Sequence, residues 1–230
     1  MTIRIGLSMP SVLDISAGSP RKPRPVRQRL VVAAAAAVMM AGALTVGPGT
    51  SPVAASSLVT NAQRVEIARK ANSAVSVPGK RCQDPLFGED LCAQSNNHEW
   101  CATFADWVWV NADPGIWTGY PITPAASSFW TYGHYHSSFT STPLLGDAVV
   151  FTDSYDGGVN HIAHVAIIVA VNGSYPSYTV TSVGGNEGNP YDPYSSFVQS
   201  DTFTWTVSSP YPYVAKVGLY VYSFISPVQK

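Results

Sequence analysis

The chain is poor in charged residues and has only three cysteines. Asp, Glu, Lys and Arg make up 12% of its 230 residues, whereas 46% are hydrophobic, so the composition excludes a disordered chain. Six of the 13 basic side chains but only one of the 14 acidic ones lie in residues 1–55, which leaves residues 56–230 with a formal net charge of −6. This region lacks the basic surface that phosphate backbones require, and we expect no nucleic-acid partner.

Residues 56–230 also lack an apolar run long enough to cross a bilayer. The long apolar stretch of the chain, 30–46, follows a basic cluster at 21–29 and precedes the small residues 53–55. This order is typical of a secretory signal peptide, whereas a retained membrane anchor would require a longer and more strongly apolar segment. We predict cleavage after Ala55 and one domain over 56–230. The mature protein should be secreted, without a membrane span.

Cysteines are few, and their number is odd: Cys82, Cys92 and Cys101. An oxidising compartment favours one disulfide and one remaining thiol over three unpaired cysteines. Cys82 and Cys92 flank a loop-like stretch that contains Pro, Gly and Asp, whereas Cys101 opens a segment with helical periodicity. We therefore predict a Cys82–Cys92 disulfide and a free Cys101.

Helical patterns dominate the first half of residues 56–230, and strand patterns dominate the second half. Helices are predicted from Thr60 or Asn61 up to Pro78-Gly79, over about 101–111, and near 125–132. Strands are predicted at 148–152, 165–171, 178–183, 203–207 and 214–224, with Asn172-Gly173 as the turn of a hairpin and 184–194 as a loop. This order indicates an α+β domain.

Cys101 and His164 are the candidate catalytic residues. The start of a helix presents unpaired N–H groups and the positive end of the dipole, which lower the pKa of a thiol placed there. A thiolate nucleophile needs a proton partner, and His164 directly precedes a β-branched strand that would hold it rigidly. His161 is the rival base, and a solvated histidine at a strand end is the non-catalytic alternative. No further Cys/His pair with ligand spacing follows, so we predict no metal site.

Four segments carry a family resemblance: 100–108 (WCATFADWV), 146–151 (GDAVVF), 164–169 (HVAIIV) and 183–186 (VGGN). In this order they resemble the motifs of the CHAP domain, the cysteine- and histidine-dependent amidohydrolases and peptidases of secreted bacterial cell-wall hydrolases. The resemblance implies a papain-like α+β fold with N-terminal helices packed on an antiparallel sheet. It implies that Cys101 attacks an amide of peptidoglycan, that His164 transfers the proton, and that helix-start N–H groups stabilise the oxyanion. It also implies an extracellular or cell-wall-associated protein that needs no cofactor, and we expect a monomer.

The chain departs from the family pattern at Gly184, where many members carry Glu. Asn186 is the residue of that motif that remains, and we predict that it orients His164, because an antiparallel hairpin brings the end of its second strand beside the start of its first. Glu187 is the rival, since it has the charge that Gly184 does not supply. The third interpretation is a turn in which Asn serves the backbone alone.

Two other functions are compatible with the sequence. One is a cysteine amidase that acts on another extracellular substrate. The other is a non-catalytic module that binds the cell wall, because aromatic rings stack on sugars. The tryptophans that could do so are Trp100, Trp107, Trp109, Trp117, Trp130 and Trp205.

Overall fold

A computed structural model describes residues 57–75, 80–95, 99–188, 196–209 and 211–230. These residues fall within one unit of the chain, Pro52–Lys230. The predicted signal peptide, the cleavage site after Ala55 and the predicted helix stop at Pro78-Gly79 lie outside the described residues, so they stay predictions. Within the described ranges, no helix is both long and apolar enough to span a membrane.

Among the described residues, four α-helices come first: α1 (Asn61–Ser73), α2 (Leu91–Gln94), α3 (Cys101–Ala112) and α4 (Ser127–His136). Thr60 caps α1 as predicted, since its hydroxyl accepts from the Gln63 N–H while the Gln63 side chain accepts from the Thr60 N–H at 2.8 Å. The predicted helix near 125–132 is present but begins and ends later. Helix α2 was predicted as loop, because four residues are too few to show periodicity.

In the part of the chain that the structure describes, seven strands follow and form one antiparallel sheet in the order β1-β7-β2-β3-β4-β5, with β6 paired to β7. Their bounds are β1 (Phe139–Thr140), β2 (Ala148–Thr152), β3 (Ile162–Ser174), β4 (Ser177–Glu187), β5 (Phe197–Thr206), β6 (Tyr213–Val214) and β7 (Leu219–Ile225). The α+β class is confirmed, and β2 has its predicted bounds. The predicted loop at 184–194 is wrong at its start, because β4 continues through Glu187.

The hairpin between β3 and β4 turns later than predicted. Ser174 pairs with Ser177, so Tyr175 and Pro176 form the turn, and Asn172 lies within β3 opposite Thr179. Pro has no N–H to offer a ladder, which suits it to the turn. Gly173 allows β3 and β4 to approach each other closely, since a Cβ there would lie 2.8 Å from the Ser177 carbonyl oxygen.

The two faces of the sheet carry separate hydrophobic clusters. Val165 and Ile167 of β3 pack with the helices on one face, whereas Ala166 and Ile168 pack with Phe151 on the other. Because side chains alternate along a strand, His164 lies on the face of Ala166, and its ring is 5.7 Å from that of Phe151 between centroids.

A buried polar network joins α1 to the sheet. Nη1 of Arg64 lies 2.6 Å from Oδ1 of Asp147, just before β2, and Nη2 of Arg64 donates to Oγ of Ser226, just after β7. Ser226 in turn donates to Asp147 at 2.7 Å. The Asp147 side chain is fully buried, so this network replaces its lost hydration with a cation and hydrogen bonds.

The end of β4 packs directly against the start of α3. A Cβ on Gly185 would lie 2.6 Å from the Trp100 ring and 2.7 Å from Cβ of Phe104. Only glycine permits this approach, which brings β4 beside Cys101.

Candidate active site

Cys101 is the first residue of α3, as predicted, and it is 1% exposed. Its thiol is free, whereas Cys82 and Cys92 form the disulfide that the sequence predicts. The first N–H groups of a helix have no acceptor within that helix, and the Phe104 N–H of α3 bonds to the carbonyl of Trp100, the residue before it. The thiol therefore stands at the positive end of the α3 dipole.

His164 meets Cys101 at this helix start. It is the third residue of β3, it is 7% exposed, and the Cys101 side chain lies within hydrogen-bonding reach of its imidazole. The structure thus brings together the two residues that the sequence selects from segments far apart in the chain. The imidazole is too buried to serve as a solvated surface group.

Glu187 is the third member of the cluster. Its Oε1 lies 2.9 Å from Nε2 of His164, and both side chains are about nine-tenths buried. The ring N–H is not aligned with this oxygen as in a strict hydrogen bond, so the contact is an ion pair at hydrogen-bond distance.

The surroundings of His164 act on its pKa in opposite directions. Burial lowers the pKa of the imidazole, because the charged form loses its hydration. The negative charges of Glu187 and Cys101, both close to the ring, outweigh burial and raise the pKa of His164 well above its ordinary value. The site therefore favours an imidazolium beside the sulfur.

Glu187 reaches His164 through an irregularity in β4. Gly184 pairs with Gln199 of β5 and Glu187 pairs with Phe197, so three steps along β4 match two along β5. Gln199 and Phe197 share a face because they are two residues apart, and their partners Gly184 and Glu187 therefore share a face as well. The sequence named Glu187 as a rival acceptor, but nothing in it shows the bulge.

Asn186, the predicted acceptor, makes a different contact. Its Oδ1 accepts a hydrogen bond from Oγ of Ser196 at 2.8 Å, and that hydroxyl accepts from Nε1 of Trp100 at 2.9 Å. Its backbone has φ 62°, in the left-handed region that Asn tolerates better than most residues. The structure places Asn186 beside the site, with its side-chain oxygen bonded to Ser196 and no described contact to His164.

The rival base His161 lies elsewhere. Its Nδ1 is 3.0 Å from Oδ1 of Asp153, and its side chain is 53% exposed. The described residues contain one group with metal-ligating potential, Cys82, Asp90 and Cys92. Both of its sulfurs are joined in the disulfide, so the group offers no thiolate to a metal.

A cleft of about 380 Å³ opens at His164 and Glu187. Its polar lining includes Gln199 from β5 and Lys216, which follows β6, and Lys216 forms an ion pair with Asp201. Sequence reasoning missed these two residues, because only the sheet brings them near His164. The full lining is Glu99, Ala163, His164, Asn186, Glu187, Gly188, Gln199, Lys216, Val217 and Leu219.

The six tryptophans divide between core and surface. Trp100, Trp107 and Trp109 are at most 3% exposed and belong to the core. Trp117, Trp130 and Trp205 are partly exposed.

A free thiol at a helix start, a buried imidazole beside it and a carboxylate behind the imidazole define the arrangement of cysteine-dependent hydrolases. Residues 93–186 match the family model of the CHAP domain. This match confirms the resemblance of the motifs to the CHAP domain. That family is generally hydrolytic and acts on amides or peptides. The match includes Cys101, His164 and Asn186 and ends one residue before Glu187. No curated protein and no solved structure matches the chain.

Proposed function

We propose that the protein is a secreted cysteine hydrolase that cleaves amide bonds of bacterial peptidoglycan, with Cys101 as nucleophile and His164 as base. The observation that carries the proposal is the free thiol at the start of α3 within hydrogen-bonding reach of a buried imidazole. The CHAP match over 93–186 supports the hydrolase class and a peptidoglycan-type substrate. The order of helices and sheet is consistent with a papain-like arrangement.

The site supports a two-step acyl transfer. The Cys101 sulfur adds to the amide carbonyl carbon, and N–H groups at the start of α3 bind the oxyanion. Collapse of this adduct breaks the C–N bond, and the His164 imidazolium gives its proton to the departing amine. Water then attacks the thioester while His164 accepts its proton, which releases the carboxylic acid and restores the thiol–imidazole pair.

The direct test of this function is the identity of the product. Purified peptidoglycan is incubated with the protein from residue 56 onwards, and the new amino and carboxyl termini are identified by mass spectrometry. The proposal requires new pairs of amine and carboxylate termini, and their position names the amide that is cut. Peptidoglycan that gains no new termini, while another extracellular amide is hydrolysed, would support the alternative substrate class.

Binding of cell-wall sugars is a second candidate function, and one groove favours it. The groove of about 320 Å³ is lined by Trp130, His134, Phe139, Tyr211, Tyr222 and Ser223. The rings of Tyr211 and Tyr222 stack with an interplanar angle of 16°, which presents a flat aromatic wall next to two polar side chains. Such a wall suits the apolar faces of sugar rings, whose hydroxyls would bond to His134 and Ser223.

Glycan binding is separable from hydrolysis. We expect Trp130→Ala and Tyr222→Ala to weaken binding of peptide-free glycan strands. The exposed Tyr175 at the tip of the β3–β4 hairpin provides the control, since Tyr175→Ala should leave binding unchanged. Equal binding by all three variants would remove this second function and leave the hydrolase proposal untouched.

A further inference from the structure

Gly184 points into the contact between Glu187 and His164. A Cβ added at this glycine would lie 2.5 Å from Oε1 of Glu187 and 2.8 Å from Nε2 of His164. The backbone of Gly184 does not require glycine, because its φ lies outside the left-handed region. Glycine is therefore needed at position 184 because a side chain would not fit, and the Glu187 carboxylate occupies the space that is left.

The bulge between Gly184 and Glu187 places these two positions on the same face of the sheet. Their partners on β5, Gln199 and Phe197, are two residues apart, so both positions face His164 although three steps separate them along β4. The extra residue is accommodated where Asn186 adopts φ 62° and Gly185 packs against Trp100. A carboxylate carried at 187 thus reaches the spot at which a side chain at 184 would be directed.

We propose that positions 184 and 187 share one acceptor site. The bulge delivers the Glu187 carboxylate to Nε2 of His164, Gly184 stays without a side chain to admit it, and Glu187 rather than Asn186 is the positioning residue of the base. This inference rests on the proposed function for the role of His164. Asn186 instead links the end of β4, through Ser196, to the tryptophan that precedes the nucleophile.

The charge of Glu187 predicts its chemical effect. A carboxylate at 2.9 Å from Nε2 holds the ring angle and stabilises the imidazolium. It raises the pKa of His164 against the effect of burial. Removing the charge lowers that pKa, so the reactive pair should lose its proton at lower pH than in the wild type.

The first experiment measures alkylation of Cys101 by iodoacetamide against pH. Cys82 and Cys92 are bonded to each other, so Cys101 is the one free thiol of the chain, and no peptidoglycan is needed. Glu187→Gln keeps the shape of the side chain and removes its charge. The alkaline limb of the profile is the pH range over which the Cys101–His164 pair loses its proton, and we expect Glu187→Gln to move it to lower pH. We also expect the variant to hydrolyse peptidoglycan more slowly, by on the order of 10-fold to 1000-fold.

Three variants serve as comparisons for Glu187→Gln. Glu187→Asp keeps the charge and should recover part of the loss. Asn186→Ala should leave the alkaline limb in place, even if the altered contact to Ser196 slows turnover. Glu66→Gln, at a half-exposed carboxylate on α1, should match the wild type in both measurements. The inference is overturned if the alkaline limb of Glu187→Gln stays where it is in the wild type. It is also overturned if Asn186→Ala moves the limb and Glu187→Gln does not.

The second experiment tests whether the two positions share one site. Gly184→Ala should reduce activity when Glu187 is present, because the new methyl group and the carboxylate compete for the same space. In the Glu187→Ala background the methyl group still meets Nε2 of His164, but the same change should cost less than it does when Glu187 is present. Gly184→Glu in that background should restore part of the lost rate. Additive losses in the double variant, or no recovery with Gly184→Glu in a protein that folds as judged by circular dichroism, contradict a shared site.

These results separate the two proposals. A wild-type protein that cuts no peptidoglycan but shows the limb shift in Glu187→Gln would refute the substrate and keep the positioning role. Hydrolysis of peptidoglycan that does not respond to Glu187→Gln would do the reverse. Should the variants at 184 fail to fold, the alkylation profiles of the variants at 187 still decide the role of Glu187.

Discussion

His161 and His164 are close in sequence and lie in different environments. His161 is half exposed beside Asp153, whereas His164 is buried between Cys101 and Glu187. The environment of each histidine, rather than its residue type, therefore favours His164 as the proposed base.

We predict that His164→Ala lowers peptidoglycan hydrolysis by at least about 100-fold, since a positioned proton-transfer group contributes on that order. His161→Ala should retain most of the activity, because its contact with Asp153 lies at the surface. Initial rates of release of soluble wall fragments, at matched circular dichroism, compare the two variants. If His161→Ala were the inactive one, the base would have to be reassigned.

Asp106 lies on α3, the helix that begins with Cys101, and its carboxyl group is largely buried there. Burial, with a smaller effect from the charge of Glu89, raises its pKa from 3.8 to about 7. Its Oδ1 is buried without a hydrogen-bond partner among the described residues. The ionised form is therefore destabilising in the folded protein.

The sign of this effect gives a pH prediction. The folded state binds the proton of Asp106 more tightly than the unfolded chain, so stability should fall as pH rises from about 4 to about 7. Asp106→Asn removes this loss and should raise the free energy of unfolding above pH 7 by a few kcal/mol, because each tenfold difference in proton affinity between the two states is worth about 1.4 kcal/mol. Urea unfolding at pH 5 and pH 8 measures it, and an Asn variant no more stable than the wild type at pH 8 would contradict it.

At the scale of elements, the site is built where β3, β4 and α3 meet. Alternation and β-branched runs predict β2 and the centres of β3 and β4 from sequence, because those residues are buried on both faces of the sheet. The hairpin turn and the end of β4 were not predictable in this way. In a sequence, glycine and asparagine favour the prediction of a turn. Here Gly173 and Gly185 lie within strands, where the missing side chain lets neighbouring groups come close to the backbone.

The candidate site was predictable from sequence in part: two of its residues were, and the acceptor of His164 was not. The helix start marks Cys101 and the β-branched strand marks His164, since each signal is local. The choice between Asn186 and Glu187 depends on a bulge, and a bulge is set by the pairing of β4 with β5 rather than by the residues of β4 alone. Lys216 and Gln199 enter the cleft only through sheet pairing, so no local pattern marks them.

Helix α1 is held on the sheet by Arg64 through its contacts with Asp147 and Ser226. We predict that Arg64→Ala destabilises the protein by about 3–5 kcal/mol, because it leaves the buried Asp147 carboxylate without its cation. Arg69, exposed on the same helix and paired with Glu66, is the matched control. Arg69→Ala should have a barely measurable effect in the same thermal unfolding experiment, and equal losses in the two variants would show that the buried pair is not what holds α1.

At the scale of the whole molecule, the charge distribution divides the sequence into a basic N-terminal segment and an acidic remainder. The basic residues of 1–55 and the net charge of −6 over 56–230 are consistent with an exported, acidic domain. We predict a mature N-terminus near Ser56, to be read by N-terminal sequencing of the protein from culture medium. A secreted product that retains residues 30–46 would contradict cleavage at this point.

The most direct test of the central claim is the dependence of peptidoglycan hydrolysis on the Cys101 thiol. Cys101→Ser keeps a small polar side chain at the start of α3, and Cys101→Ala keeps the packing without a nucleophile. Both proteins should fold with the Cys82–Cys92 disulfide intact and release no soluble fragments from purified peptidoglycan above background, while the wild type does. Full hydrolysis by the folded Cys101→Ala variant would contradict the assignment of Cys101 as the nucleophile and of the protein as a cysteine hydrolase.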